Sequence, residues 1–314
     1  MIDLHFDTSL VQGYHSPLQR VRVLTENWMF RNGYCPRCGR DGLVKYRNNQ
    51  PLADFFCEGC RSDYELKSKA GAFGSRITDG AYHKAIERIQ SRRNPHFFLL
   101  NYQHDTVKNL CIVPNYFFTP ALIEPRKPLS DTARRAGWQG CNIRISDVPD
   151  YGKIFLIRNG HVEDRTRVVA LFKRTLNLQT EDLDNRGWLL DVLRCIDHIP
   201  GAEFSLQQVY AFTTALQERH PDNHNVDAKI RQQLQILRDK GVITFIQRGV
   251  TAKYQDDIKN ALPLSGEHRG TQLSYMGGGV RAGRQAASLP AAAGRNPPTA
   301  LRESIGSRGA GLAA

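Results

Sequence analysis

Two C-x-x-C pairs, Cys35-Pro36-Arg37-Cys38 and Cys57-Glu58-Gly59-Cys60, constrain this chain more than any other feature. They form the spacing C-x2-C-x18-C-x2-C. Two thiolates two residues apart span one edge of a tetrahedron, and a second such pair completes it. The spacing predicts a zinc ribbon over residues 34–61, with Cys35, Cys38, Cys57 and Cys60 as ligands of a structural Zn²⁺. Four thiolates leave no open position on the metal, so the ion is expected to hold a scaffold rather than to do chemistry. Structural zinc is worth roughly 10–16 kcal/mol in small zinc-folded peptides, enough to hold a region with few large apolar side chains. The alternative is four unrelated cysteines, but both pairs stand at turn-forming positions. The remaining cysteines, 111, 141 and 195, look like single buried residues, and an odd total of seven argues against a disulfide framework.

The chain has 314 residues and a formal charge of +12. That length suits two domains, and a basic excess favours a polyanionic partner, nucleic acid first. The longest apolar runs, such as Phe97-Phe98-Leu99-Leu100, have strand length, so no membrane span is expected. The start, MIDLHFDTSL, lacks a basic segment followed by an apolar core, and a cytoplasmic protein is expected.

Periodicity divides the chain into three parts. Ser16-Pro17 opens a helix through Val21, Leu24 and Trp28 that ends near Asn32-Gly33. Leu52 to Phe56 and Tyr64 to Lys67 read as short strands flanking the second cysteine pair. Asp79 to Arg93 reads as a helix stopped by Asn94-Pro95, and strands are expected at His96–Tyr102, Asn109–Pro114 and Lys153–Arg158. Strands around a helix indicate an α/β core over 1–180. From 181 to 258 the pattern is three helices, at Asn185–His198, from Ser205 and at Val226–Lys240, then two strands meeting at Arg248-Gly249. That is the plan of a winged helix, a helix-turn-helix variant. Residues 262–314 are rich in Gly and Ala and are expected to be disordered. Arg269, Arg281, Arg284, Arg295, Arg302 and Arg308 face only Glu267 and Glu303 there, so most of the basic excess belongs to the preceding residues.

A second chemical signal interleaves with the cysteines. Asp54 precedes the second pair, and Glu65-Leu66-Lys67 follows it. Alternation on a strand puts Glu65 and Lys67 on one face and Leu66 on the other. If the strand holding Asp54 pairs with this one, the three polar groups converge. Two carboxylates supply oxygen ligands for Mg²⁺, and a lysine can orient water or neutralise developing charge during phosphodiester hydrolysis. By itself D-x10-E-x-K is common on solvated faces; its strand context, the basic chain and the adjacent ribbon favour a site. Lys69, Gly71, Gly74, Ser75 and Arg76 follow, either as a phosphate-contacting loop or as an ordinary connector.

These residues resemble the PD-(D/E)xK nuclease fold and, more closely, the DpnI-like family of methyl-directed type II restriction endonucleases. The resemblance is carried by Arg22 to Trp28, Tyr34 to Gly39, Ala53-Asp54-Phe55, Glu65 to Lys69, Asp79 to Tyr82, Pro128 to Asn142 and Lys229 to Lys240, and spans roughly 1–255. It implies an α/β fold with a PD-(D/E)xK restriction endonuclease core, an embedded zinc ribbon and a following winged helix. It implies Asp54, Glu65 and Lys67 as the catalytic set, with Asp54 and Glu65 holding Mg²⁺. The expected partner is double-stranded DNA carrying N6-methyladenine in GATC, bound by both domains of a bacterial, cytoplasmic, monomeric enzyme. Ala53 stands where the fold signature often has Pro, a position with no chemical role.

On the third C-terminal helix, Arg231, Gln232, Gln235 and Arg238 lie opposite the Ile230/Leu237 stripe, where such side chains can read major-groove edges. Arg248 and Lys253 in the hairpin are placed for phosphate. Arg134-Arg135-Ala136-Gly137-Trp138 sets an indole beside two cations, either to pack on a base or its methyl group, or to fold back into the core. Two further classes fit parts of the pattern: a non-catalytic DNA-binding regulator, which has no need of the carboxylates and lysine together, and a methylation-independent repair nuclease of the same fold.

Overall fold

The run His96-Phe97-Phe98-Leu99-Leu100 is apolar on both of its faces, so it must be covered on both sides. It becomes the middle of a seven-stranded sheet. The computed structural model describes residues 2–47, 53–91 and 94–254. These fall within one compact unit spanning Met1–His268. The expectation of disorder for 262–314 concerns residues outside those described.

The elements run in the order α1 (Pro17–Asn32), β1 (Val44–Lys45), β2 (Phe55–Phe56), β3 (Asp63–Ala70), β4 (Arg76–Ala81), α2 (Tyr82–Gln90), β5 (His96–Gln103), β6 (Thr106–Val113), β7 (Ile123–Pro125), β8 (Gly140–Arg144), β9 (Ile154–Arg158), β10 (His161–Val162), α3 (Arg165–Thr175), α4 (Leu183–His198), β11 (Glu203–Phe204), α5 (Leu206–Tyr210), α6 (Thr213–Arg219), α7 (Val226–Asp239), β12 (Thr244–Gln247) and β13 (Val250–Ala252). The large sheet has the order β1-β2-β3-β5-β6-β9-β10. Among the described residues only the β3–β5 pair is parallel. Its crossover contains α2, as a parallel connection requires.

Alternation on β5 sorts the core into two layers. Phe98 and Leu100 pack with Trp28, Met29, Val168 and Phe172, from α1 and α3. Phe97 and Leu99 pack on the other side with Ala85 and Ile89 of α2, Ile143 of β8 and the helices of the C-terminal part. A small sheet, β4-β8-β7, lies among these elements.

Residues 79–81, expected to begin a helix, are strand. Ile77, Thr78 and Asp79 pair antiparallel with Ile143, Asn142 and Cys141, and the helix starts only at Tyr82. β-Branched Ile77 and Thr78 favour the extended form, and a partner more than sixty residues away supplies the ladder. The helix opened by Ser205 is likewise divided, into α5 and α6. Ser205 and Gln208 form a capping box on α5, and Phe212, outside helical geometry, separates the two.

The C-terminal part has the winged-helix plan. Trp188, Leu193, Val209, Leu216, Ile230, Leu234 and Leu237 make its interior. Gly241 closes α7 at φ +71°, with its N–H on the Arg238 carbonyl at 2.8 Å. β12 and β13 form the wing, and β11, not evident from the sequence, pairs with β13.

Charge fastens this part to the sheet core. Asp147 accepts ion pairs from Arg144 at 3.4 Å, Arg194 at 2.8 Å and Arg219 at 3.0 Å. Arg219 also reaches Asp191, which holds His220 at 2.9 Å. Burial would raise the Asp147 pKa, but Arg194, Arg144 and Arg219 outweigh it and hold the carboxyl below the ordinary range. A depressed carboxyl stabilises the fold above its unfolded pKa and ceases to do so as pH falls through its folded value. Asp147→Asn should therefore cost about 1–3 kcal/mol at neutral pH. In urea unfolding the gap from the wild type should close as the pH drops below about 4.

Candidate functional site

The four sulfurs of Cys35, Cys38, Cys57 and Cys60 lie within 4.8 Å of one another. Cys35 Sγ is 3.5 Å from Cys60 Sγ, and Cys38 Sγ is 3.6 Å from Cys57 Sγ. Tetrahedral zinc with bonds of about 2.3 Å needs sulfur–sulfur edges of about 3.8 Å, so the cluster fits that ion. Two tight turns deliver the thiols, one with Gly39 at φ +80° and one with Arg61 at φ 55°. Supporting bonds surround them. The Tyr64 hydroxyl lies 3.0 Å from Cys35 Sγ, Ser62 Oγ lies 3.3 Å from Cys60 Sγ, and Arg37 donates to Ser62 Oγ at 3.0 Å. Burial pushes the Cys35 thiol up. Burial also acts against the Cys60 thiolate, but hydrogen bonding with Ser62 prevails and brings that thiol down to about 7.

Tyr64 belongs to β3, and the next residue is Glu65. Tyr64 and Leu66 face the layer that holds the cysteines, so Glu65 and Lys67 face the other. β2 pairs antiparallel with β3, Phe55 opposite Tyr64. The Asp54 N–H donates to the Tyr64 carbonyl at 2.9 Å. Its Oδ2 in turn accepts the Leu66 N–H at 2.7 Å. The structure thus brings Asp54, Glu65 and Lys67 together.

Burial raises the Asp54 pKa, and nearby Glu65 and Glu26 push the same way against the Leu66 N–H and Lys67. Lys67 Nζ sits 2.5 Å from Glu65 Oε1 and 2.5 Å from Asp79 Oδ1. Burial works against its charge, yet Glu65 and Asp79 prevail and raise its pKa. Burial would likewise raise Asp79, but Lys67 keeps that carboxyl below its ordinary range.

Three groups of this site were not singled out from the sequence. Asp79 sits on β4 and reaches Lys67 only because β4 folds beside β3. Glu26, buried on α1, holds Arg22 and Lys45 at 2.5 Å each, and its charge acts on Asp54. An acid on the same buried face as Trp28 and Met29 was the available signal. Arg88 of α2 pairs with Glu65, for which the sequence offers no sign. Four carboxylates therefore meet four cations: Glu26, Asp54, Glu65 and Asp79 against Arg22, Lys45, Lys67 and Arg88. Paired carboxylates on adjacent strands are hard oxygen donors of the type that a divalent ion such as Mg²⁺ takes; here the two Glu65 oxygens are engaged by Lys67 and Arg88.

The other expected DNA contacts are placed as follows. Lys69, Arg134 and Arg135 are exposed. Arg76, largely exposed, pairs with Glu124 at 2.5 Å. Trp138 is neither free nor inside the core. Its indole lies over Gly140, where any Cβ would come within 2.9 Å of the ring, and the Arg135 guanidinium stacks at 4.6 Å. The loop carrying it joins β7 to β8, and the Gln139 carbonyl accepts the Tyr82 N–H at 3.0 Å.

On α7, Arg231, Gln232, Gln235 and Arg238 are all exposed. Arg231 donates to the Tyr210 hydroxyl at 2.9 Å, and Arg238 pairs with Asp239 and covers the Phe245 ring. Arg248 at the wing tip is exposed. Lys253 is not directed at a phosphate: its ammonium holds the Ile199 carbonyl, a structural role. Among the described residues, no helix is long and apolar enough to cross a membrane.

The family matches over both parts of the chain, alongside the four-cysteine cluster compatible with a zinc ribbon and the winged helix, give the class: a site-specific, DNA-binding endonuclease of the restriction type. The chain belongs to the Dam-replacing (DpnI) family, which it matches over residues 2–181, and residues 184–255 match the Dam-replacing HTH domain.

Stripping metal from the four-cysteine cluster should lower the Tm of the sheet core by many degrees, since Tyr64 and Cys35 share one core. An unchanged melting curve after metal analysis shows complete removal would exclude a structural metal.

Proposed function

We propose that the protein is an Mg²⁺-dependent type II restriction endonuclease that cuts double-stranded DNA at N6-adenine-methylated GATC sites, acting as a monomer. The observation that carries the hydrolytic reading is the convergence of Asp54, Glu65 and Lys67 across the β2–β3 pair. We assign residues 1–180 to a nuclease domain and 181–258 to a winged-helix domain, each able to engage the methylated site. Mg²⁺ held by Asp54 and Glu65 would polarise the scissile phosphate and lower the pKa of the attacking water. Lys67, mostly covered and charged, supplies a fixed positive group beside them. Such a preorganised charge stabilises the developing negative charge without reorganising at the moment of reaction.

Magnitudes favour a reader with two domains. Burying one methyl group yields only about 0.8 kcal/mol, roughly fourfold in affinity. A palindrome carries two methyls, and two separate readings multiply the factor. A pocket that leaves the unmethylated amine poorly solvated raises it further. Trp138, half-buried beside Arg135, is our assignment for an apolar surface facing the methylated base from the nuclease domain. Arg231, Gln232, Gln235 and Arg238 are assigned to base edges from α7, with Arg248, Lys69 and Arg134 on phosphates.

The test is cleavage of one plasmid prepared with and without adenine methylation at GATC, in Mg²⁺. Cutting of the methylated form alone is expected. Equal cutting of both would remove methyl specificity and leave a repair-type nuclease, whereas binding without cutting would leave a regulator. Asp54→Ala should reduce cleavage by at least about 10³-fold while retaining binding to the methylated site in a gel-shift titration. Joint loss of binding and folding would make Asp54 a structural residue.

A further inference from the structure

Both oxygens of Glu65 are engaged by cations. Lys67 Nζ is 2.5 Å from Oε1, and Arg88 Nη2 donates to Oε2. The two cations are held differently. Lys67 also meets Asp79 at 2.5 Å, so it keeps an anionic partner whatever Glu65 does. Arg88 has no second contact of that kind: among the described residues its one direct ion pair is with Glu65, Asp79 attracts it only from farther off, its guanidinium lies 5.9 Å from the Phe97 ring, and its buried Nε has no hydrogen-bond partner. Ala85 and Ile89 anchor α2 in the core. The Arg88 side chain itself stays 24% exposed. A long, partly solvated arginine can swing on its methylene stem without unpacking the helix.

We propose that Arg88 competes with the catalytic divalent ion for Glu65. The ion gains this carboxylate only as the guanidinium leaves Oε2, and the anion that then receives the guanidinium is a phosphate of the bound DNA. The inference rests on the metal-dependent nuclease reading. Its consequence is thermodynamic. DNA takes the arginine, so DNA and metal each ease the binding of the other. A nuclease built this way loads its metal weakly when DNA is absent. Lys67, retained by Asp79, stays in place through the exchange.

The experiment is an Mn²⁺ titration of the full chain without DNA, followed by the electron paramagnetic resonance of free Mn²⁺. Wild type is compared with Arg88→Gln, Arg88→Leu, Arg88→Lys and Glu65→Gln. Removing the competing charge should tighten Mn²⁺ by about fivefold in Arg88→Gln and Arg88→Leu, the factor that corresponds to a partly exposed ion pair of about 1 kcal/mol. Arg88→Lys keeps a cation and should stay near the wild type. Adding methylated DNA should tighten Mn²⁺ in the wild type and much less in Arg88→Gln. Unchanged or weaker Mn²⁺ binding in both neutral variants, with binding lost in Glu65→Gln, would overturn the competition alone. Wild-type binding retained in Glu65→Gln would overturn the metal site itself and the competition with it.

Discussion

The position of β3 between β2 and β5 is the constraint on which the site depends. Successive side chains of a strand point to opposite sides, and β3 uses both. Tyr64 turns to the layer containing the cysteines and reaches Cys35 Sγ. Glu65, its neighbour, turns to the opposite layer. The parallel pairing with β5 runs from Tyr64↔His96 to Ala70↔Tyr102 and leaves no freedom of register. A shift by one residue would send Glu65 and Lys67 into the apolar layer and Leu66 out of it. The cysteine cluster and the carboxylate site are thus two faces of one strand.

Charge balance is the second organising feature. A buried carboxylate or ammonium is costly unless paired, and each ionised group at this site has a counter-ion nearby. Lys67 lies between Glu65 and Asp79, and Glu26 gathers Arg22 and Lys45. Asp79 comes from the small sheet whose β8 strand starts beneath Trp138, with Ala81 opposite Gly140 and Asp79 opposite Cys141. The partner of Lys67 and the loop assigned to base reading therefore share one small sheet. The winged helix is fastened just as firmly, through a continuous apolar layer and the arginines around Asp147.

Much of this was legible from residue order. The cysteine spacing announced the cluster. Alternation around Leu66 put Glu65 and Lys67 on one face, and the heptad-like stripe of Ile230, Leu234 and Leu237 defined α7 and its exposed polar side. What failed were readings that needed a distant partner. Asp79 to Ala81 read as the start of a helix because Tyr82 onward is helical, while the strand they form depends on β8. β11 has two residues and exists only through β13. Lys253 read as a phosphate contact, but the Ile199 carbonyl claims it.

Local chemistry therefore determined the ligand types, their spacing and the alternation that groups them, because two-residue and tetrahedral geometries are short-range. The tertiary structure decided the partners: Asp79 and Arg88 on Lys67 and Glu65, and Glu26 near Asp54. Those contacts join segments far apart in the chain that only the packing of sheets and helices brings together. The physical reason is that a charge buried in the fold must find its counter-ion in space, wherever along the chain that residue happens to be.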